Sequence, residues 1–197
     1  MNKLLRKPLV KINDTFGKLL GSKIKKVPYS RPSTLKAKEI FGDKPIRVIE
    51  IGCAAGNNAL DILKNLNVSE YVVIDPYETL SCDYDDYTKT RLTKMRKQSR
   101  MRLKNYEENI TWLYEKSDEA LKELEGTYDY IYIDGNHDYE YVLSDMNNYF
   151  SLLSGKYVFG GHDIDQVGVS KAFVEFAANK AGLNYKINDP DWVLYSV

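Results

Sequence analysis

Nine consecutive residues, Val48-Ile49-Glu50-Ile51-Gly52-Cys53-Ala54-Ala55-Gly56, constrain this chain more than any other stretch. An apolar run with an acid near its end passes directly into a glycine-spaced turn. That is the pattern of a buried strand opening into a helix in an open α/β sheet. The spacing is Glu-x-Gly-x-x-x-Gly. A dinucleotide fingerprint needs glycine at 54 and 57, where Ala54 and Asn57 stand, so the turn suits a ligand smaller than a pyrophosphate.

Strands and helices alternate from that turn onward. Residues 47–51 read as a first strand and 57–66 as the helix after it. Further strands are predicted at 71–74, 110–114, 128–133 and 157–159, separated by helices over 89–104, 118–124, 140–153 and 169–181. The last two strands, 185–187 and 192–196, are joined by the turn Asn188-Asp189-Pro190-Asp191. Alternation ending in a hairpin argues for a doubly wound, mostly parallel sheet whose last pair is antiparallel. Ser33 reads as the cap of a short helix running to Phe41. Residues 33–197 are then the folded domain, and 1–32 a basic appendage in which Ile12, Phe16, Leu19, Leu20 and Ile24 fall at helical spacing.

Composition narrows the setting. At 197 residues the chain can bury one good core. Its two cysteines, Cys53 and Cys82, form no Cys-x-x-Cys pair, which argues against a zinc site or a disulfide framework. No run approaches the ~18 apolar residues of a membrane span, and no signal-peptide pattern opens the chain, so a cytoplasmic location is expected. The zero net charge divides unevenly. Residues 1–38 carry eleven Lys/Arg against Asp14 alone, and residues 89–104 carry eight with no acid. Such runs can attract nucleic acid or an anionic surface, and can equally be solvated faces.

In open α/β sheets, ligands sit beyond the carboxyl ends of the strands, and the polar residues of this chain cluster there. Glu50, Gly52 and Gly56 mark the first strand's end. Asp75 ends the second strand and is placed to accept hydrogen bonds from ribose hydroxyls, or to form the turn before Pro76. Ser117 and Asp118 follow the third strand, where they could read an adenine edge or cap a helix. Asp134-Gly135-Asn136-His137 and His162-Asp163 end the next two and contain both histidines of the chain. Carboxylates with an imidazole can hold a divalent cation, and an imidazole titrating near ~6.5 can accept a substrate proton.

The run Tyr128-Asp129-Tyr130-Ile131-Tyr132-Ile133-Asp134-Gly135-Asn136-His137-Asp138-Tyr139, with Asp145, Leu152-Leu153 and Gly160-Gly161-His162-Asp163, resembles one branch of the class I S-adenosylmethionine-dependent methyltransferases. That branch includes macrolide-sugar O-methyltransferases and cephalosporin-biosynthesis relatives, and the turn at 50–56 is similar to their motif I. The resemblance covers residues 45–165. It implies a seven-stranded Rossmann-like fold with helices on both faces, S-adenosylmethionine as cofactor, and a hydroxyl of a small molecule or sugar as methyl acceptor. It further implies Asp134, His162 and Asp163 as magnesium ligands and His137 as general base. The chain departs from many relatives in carrying histidine, where they carry an acid, at position 162. Two rival readings stand beside this one. A nucleic-acid methyltransferase would use the basic runs, but an Asn/Asp-Pro-Pro-Tyr motif is missing after the fourth strand. A non-catalytic cofactor-binding scaffold would attach through residues 1–32.

Overall fold

Strict alternation is the observed architecture. A computed structural model describes residues 30–77, 89–180 and 182–197, so the amphipathic pattern of the N-terminal appendage and the acidic, aromatic stretch 81–87 lie outside the described residues. In chain order the elements are α1 (Pro32–Phe41), β1 (Ile46–Ile51), α2 (Asn57–Asn65), β2 (Val68–Ile74), α3 (Lys89–Leu103), β3 (Ile110–Leu113), α4 (Ser117–Ala120), β4 (Tyr128–Ile133), α5 (Tyr139–Phe150), β5 (Leu153–Gly161), α6 (Val167–Ala178), β6 (Asn184–Asn188) and β7 (Asp191–Tyr195). Short 3-10 turns follow α3 and α4. The strands form one seven-stranded sheet in the order β3-β2-β1-β4-β5-β7-β6, parallel except where β7 joins β5 and β6. This is the Rossmann-like sheet with a terminal antiparallel hairpin. Strand order reverses between β1 and β4, and that is where such sheets open a crevice.

Alternating side chains divide the core into two layers. Ile49, Ile51, Val72, Ile74, Ile131, Ile133 and Phe159 face α5 and α6, where Phe150 packs edge to face on Phe176, while Trp192 of β7 meets Phe159 edge to face and Phe173 at a tilt. Val48, Tyr71, Val73, Tyr130, Tyr132, Val158 and Val193 face the other way, toward α1, α2 and the end of α3. The second layer is built on tyrosine, and its buried hydroxyls are paired. Tyr71 donates to Glu50 Oε2 at 3.1 Å, Tyr130 to Ser33 Oγ at 2.7 Å and Tyr132 to Asp191 Oδ1 at 3.0 Å.

Two local expectations are corrected. Ser33 does not cap α1. Pro32 takes the first helical position, which its fixed φ and missing N–H suit, and Arg31 stands at the cap. Ser33 is thereby turned inward against Tyr130. Strand β5 starts at Leu153 in place of 157, because Leu153 pairs with Tyr128 before the register shifts to Tyr130–Val158.

Helix α1 lies across β5 and β7 so closely that a Cβ on Gly160 would fall 2.6 Å from the Cβ of Ser33. Gly160→Val should therefore lower folding stability by about 2 kcal/mol in urea unfolding, as overpacked core sites do. A wild-type midpoint would show that α1 can move away from the sheet.

Candidate active site

The glycine turn is held from three sides. Gly52 adopts φ +83°, and its N–H donates to Ile74 O at 2.9 Å. The Asp134 N–H donates to Ile51 O at 2.8 Å, and a Cβ on Gly52 would lie only 2.0 Å from Asp134 O. Only glycine lets β1 and β4 end this close together. The amides of Cys53 and Ala54 donate to Asp75 Oδ2 at 3.0 and 2.9 Å, and Tyr77 N donates to Asp75 Oδ1 at 2.9 Å. Burial raises the Asp75 carboxyl above its ordinary range, and these three amides oppose the rise. Each carboxylate oxygen can accept more than one hydrogen bond, so anchoring the turn and accepting a hydroxyl are compatible roles.

Helix α3 covers the far side of the turn. The Tyr77 hydroxyl donates to Ala54 O at 3.0 Å and lies 2.9 Å from Ser99 Oγ, while Arg102 donates to Ala55 O. A Cβ on Gly56, which has φ +75°, would lie 3.2 Å from Ser99 Cα. Glu50 is 1% exposed and accepts from Asn58 Nδ2 at 2.9 Å as well as from Tyr71. It ties β1 to α2 and β2 from inside the core. Ser117 and Asp118 sit beyond β3, one strand further out than Asp75. Lys116 holds the cap position there, the Ser117 carbonyl accepts from Tyr149 OH at 2.6 Å, and Asp118 is exposed.

The second cluster gathers at the ends of β4 and β5. Asp163 Oδ2 lies 2.9 Å from both His137 Nε2 and His162 Nδ1, and His162 Nδ1 lies 3.8 Å from Asp134 Oδ1. Asp163 reaches this position with φ +57°, a left-handed conformation that aspartate tolerates better than most residues. Ligand atoms of Asp134, His162 and Asp163 all fall within 4.8 Å of one another, so two carboxylates and an imidazole can meet one divalent cation. Asn136 Oδ1 accepts from Asp138 N at 2.8 Å and shapes the loop that carries His137. A small cleft lined by Asp134, His137, His162 and Trp192 opens beside them. The four polar residues predicted at these two strand ends thus converge.

Sequence reasoning missed Arg31 and Asp191. The Arg31 guanidinium lies 2.8 Å from Asp191 Oδ1 and 3.8 Å from Asp134 Oδ2, with Cζ 5.6 Å from the centre of the Tyr132 ring. The partners are 160 residues apart, beyond any local pattern. The available signal was an arginine immediately before a helix-starting proline.

With this geometry in place, the comparisons with known proteins decide the family. A family model described as a methyltransferase domain matches residues 49–164, from β1 past the His162-Asp163 pair. The chain belongs to that family. Its methyltransferase domain is similar in fold to several solved structures. Cofactor-bound Rv0187 from MTB aligns at TM-score 0.63 and 15% identity over 98% of this chain and 91% of that one. A Streptococcus mutans protein described as a methyltransferase, solved in complex with SAH, aligns at TM-score 0.60 and 12% identity over 85% and 97%. An rRNA methylase from Streptococcus thermophilus aligns at TM-score 0.57 and 14% identity over 84% and 95%. No curated protein sequence matches the chain. Among the described residues no helix is long and apolar enough to cross a membrane.

Inside this methyltransferase domain, burial pushes the Glu50 carboxyl up to about 7, against the hydrogen bonds of Asn58 and Tyr71. The folded state therefore holds that proton more tightly than the unfolded chain does. The associated stability is full below the unfolded value of 4.5 and is lost as pH rises through about 7. Glu50→Gln should flatten this loss, gaining on the order of 3 kcal/mol relative to wild type between acidic and alkaline pH. Urea titrations at several pH values check it. Parallel pH profiles for the two proteins would contradict the assignment.

Proposed function

We propose that the domain is an S-adenosylmethionine-dependent O-methyltransferase that methylates a hydroxyl of a small molecule or sugar with the help of a divalent cation. This is the chemistry of the macrolide-sugar branch its motifs resemble. The observation that carries the reading is the meeting of His137, Asp163, His162 and Asp134 beside the glycine turn. Structural likeness to SAH-bound and cofactor-bound proteins supports the choice of cofactor.

S-adenosylmethionine, when bound, supplies a methyl group on a sulfonium centre. Asp75 would accept from its ribose hydroxyls, and Ser117 and Asp118 would meet its adenine edge. Gly52 and Gly56 let the turn at the carboxyl end of β1 pack tightly against β4 and α3, which would fix its backbone beside the cofactor. A cation, when bound, supplies the positive charge that lowers the pKa of the acceptor hydroxyl. Asp134, Asp163 and His162 would hold it; the carboxylates suit magnesium or manganese, and the imidazole shifts the preference toward the transition metal. Asp163, whose Oδ2 lies 2.9 Å from His137 Nε2, would orient that imidazole, and His137 would take the acceptor proton. Rigid placement of the acceptor oxygen against the methyl carbon then provides much of the rate.

One feature favours a second reading, RNA as the acceptor. Lys89, Lys94 and Lys97 line a shallow groove on α3 with Thr90 and Thr93, and none of the three makes an ion pair among the described residues. Filter binding with a salt titration separates the two. A nucleic-acid substrate requires affinity that falls steeply with salt.

His137→Ala should cut turnover by ~10²-fold or more while S-adenosylhomocysteine binding, measured by calorimetry, stays at the wild-type level. Full activity in that variant would refute the base assignment.

A further inference from the structure

We propose that Arg31 is a resident competitor for the cation on Asp134, and that Asp191 sets how strongly it competes; this rests on the cation reading above. The two oxygens of Asp134 face different partners. Oδ1 faces His162 Nδ1 at 3.8 Å, on the side where Asp163 completes the ligand cluster. Oδ2 faces Arg31 Nη2, also at 3.8 Å. That distance is too long for a hydrogen bond, so the pull of Arg31 on Asp134 is purely electrostatic. Its hydrogen bond goes instead to Asp191 Oδ1 at 2.8 Å, an oxygen that also accepts from Tyr132 OH at 3.0 Å.

A guanidinium stays protonated at any working pH, so this positive charge is permanent. Its side chain is 27% exposed and that of Asp191 10%, so water screens the trio only in part. A divalent cation on Oδ1 therefore shares its carboxylate with a fixed like charge, and the repulsion lowers its affinity. Asp191 moderates that repulsion in two ways. Its negative charge offsets the positive charge of Arg31, and its short hydrogen bond keeps Arg31 from closing on Asp134. Removing Arg31 frees the carboxylate for the cation, whereas removing the Asp191 charge releases Arg31 toward it. The two neutral substitutions should thus move cation affinity in opposite directions. A simple brace between α1 and β7 would loosen the site in both variants and move affinity the same way.

The test is calorimetric titration of manganese into the full chain, with circular dichroism to check folding. Arg31→Gln should bind manganese about tenfold more tightly than wild type, and Asp191→Asn about tenfold more weakly. Either variant decides alone if the other fails to fold. Unchanged or weaker binding in folded Arg31→Gln, or unchanged or tighter binding in folded Asp191→Asn, overturns the proposal. Asp163→Asn separates this from the underlying reading, because it should lose manganese binding outright. If folded wild type and Arg31→Gln both fail to bind manganese, the cation site itself is wrong and the proposal falls with it. Binding of equal strength in both sinks the competition alone.

Discussion

The backbone contact between Gly52 and Asp134 is the constraint on which the rest of the site depends. A Cβ at 52 would stand 2.0 Å from the Asp134 carbonyl, yet Asp134 N–H must still reach Ile51 O for β4 to finish its ladder. Both conditions are met only by a glycine with positive φ. Because β1 and β4 can end this tightly, the loop after β4 starts directly beside the glycine turn. The histidine and carboxylates that follow are then delivered to the mouth of the crevice. Asp75 braces the same turn from β2 through its two amide hydrogen bonds, so the ends of β1, β2 and β4 form one rim.

Electrostatics on this rim are organised around shared carboxylates. Asp163 Oδ2 serves both imidazoles, and the two oxygens of Asp134 look toward the cluster and toward Arg31. Burial raises the Asp134 carboxyl well above its ordinary range and Arg31 pulls it back, while Asp163 and Glu50 add to the rise. Bringing a cation among these carboxylates opposes that rise and favours their charged forms. The arrangement favours any cation that can reach the cleft, whether a metal or the resident guanidinium.

Much of this was legible in the sequence, for identifiable reasons. Strand β4 is an apolar and aromatic run with a sharp polar stop, so its bounds and the place of Asp134 followed directly from the pattern. The parallel order also followed, because alternating strands and helices admit few other sheets. What escaped was set by distant contacts. Ser33 has the chemistry of a cap, but Pro32 starts the helix and Tyr130 supplies an inward partner. The early start of β5 depends on Tyr128 pairing with Leu153 across a register shift. Asp75 carries the right chemistry for a ribose, yet its amide partners depend on how the turn folds back. Arg31 was invisible because its importance is created by Asp191, which the hairpin brings back to the sheet from the far end of the chain.

The most direct test is a crystal structure of the full chain grown with S-adenosylhomocysteine and manganese, using anomalous scattering to locate the ion. The account predicts the nucleoside across the carboxyl ends of β1 and β2, its sulfur toward His137, and a manganese peak among Asp134, His162 and Asp163. A nucleoside bound elsewhere, or an ion peak away from those three side chains under saturating manganese, would contradict it.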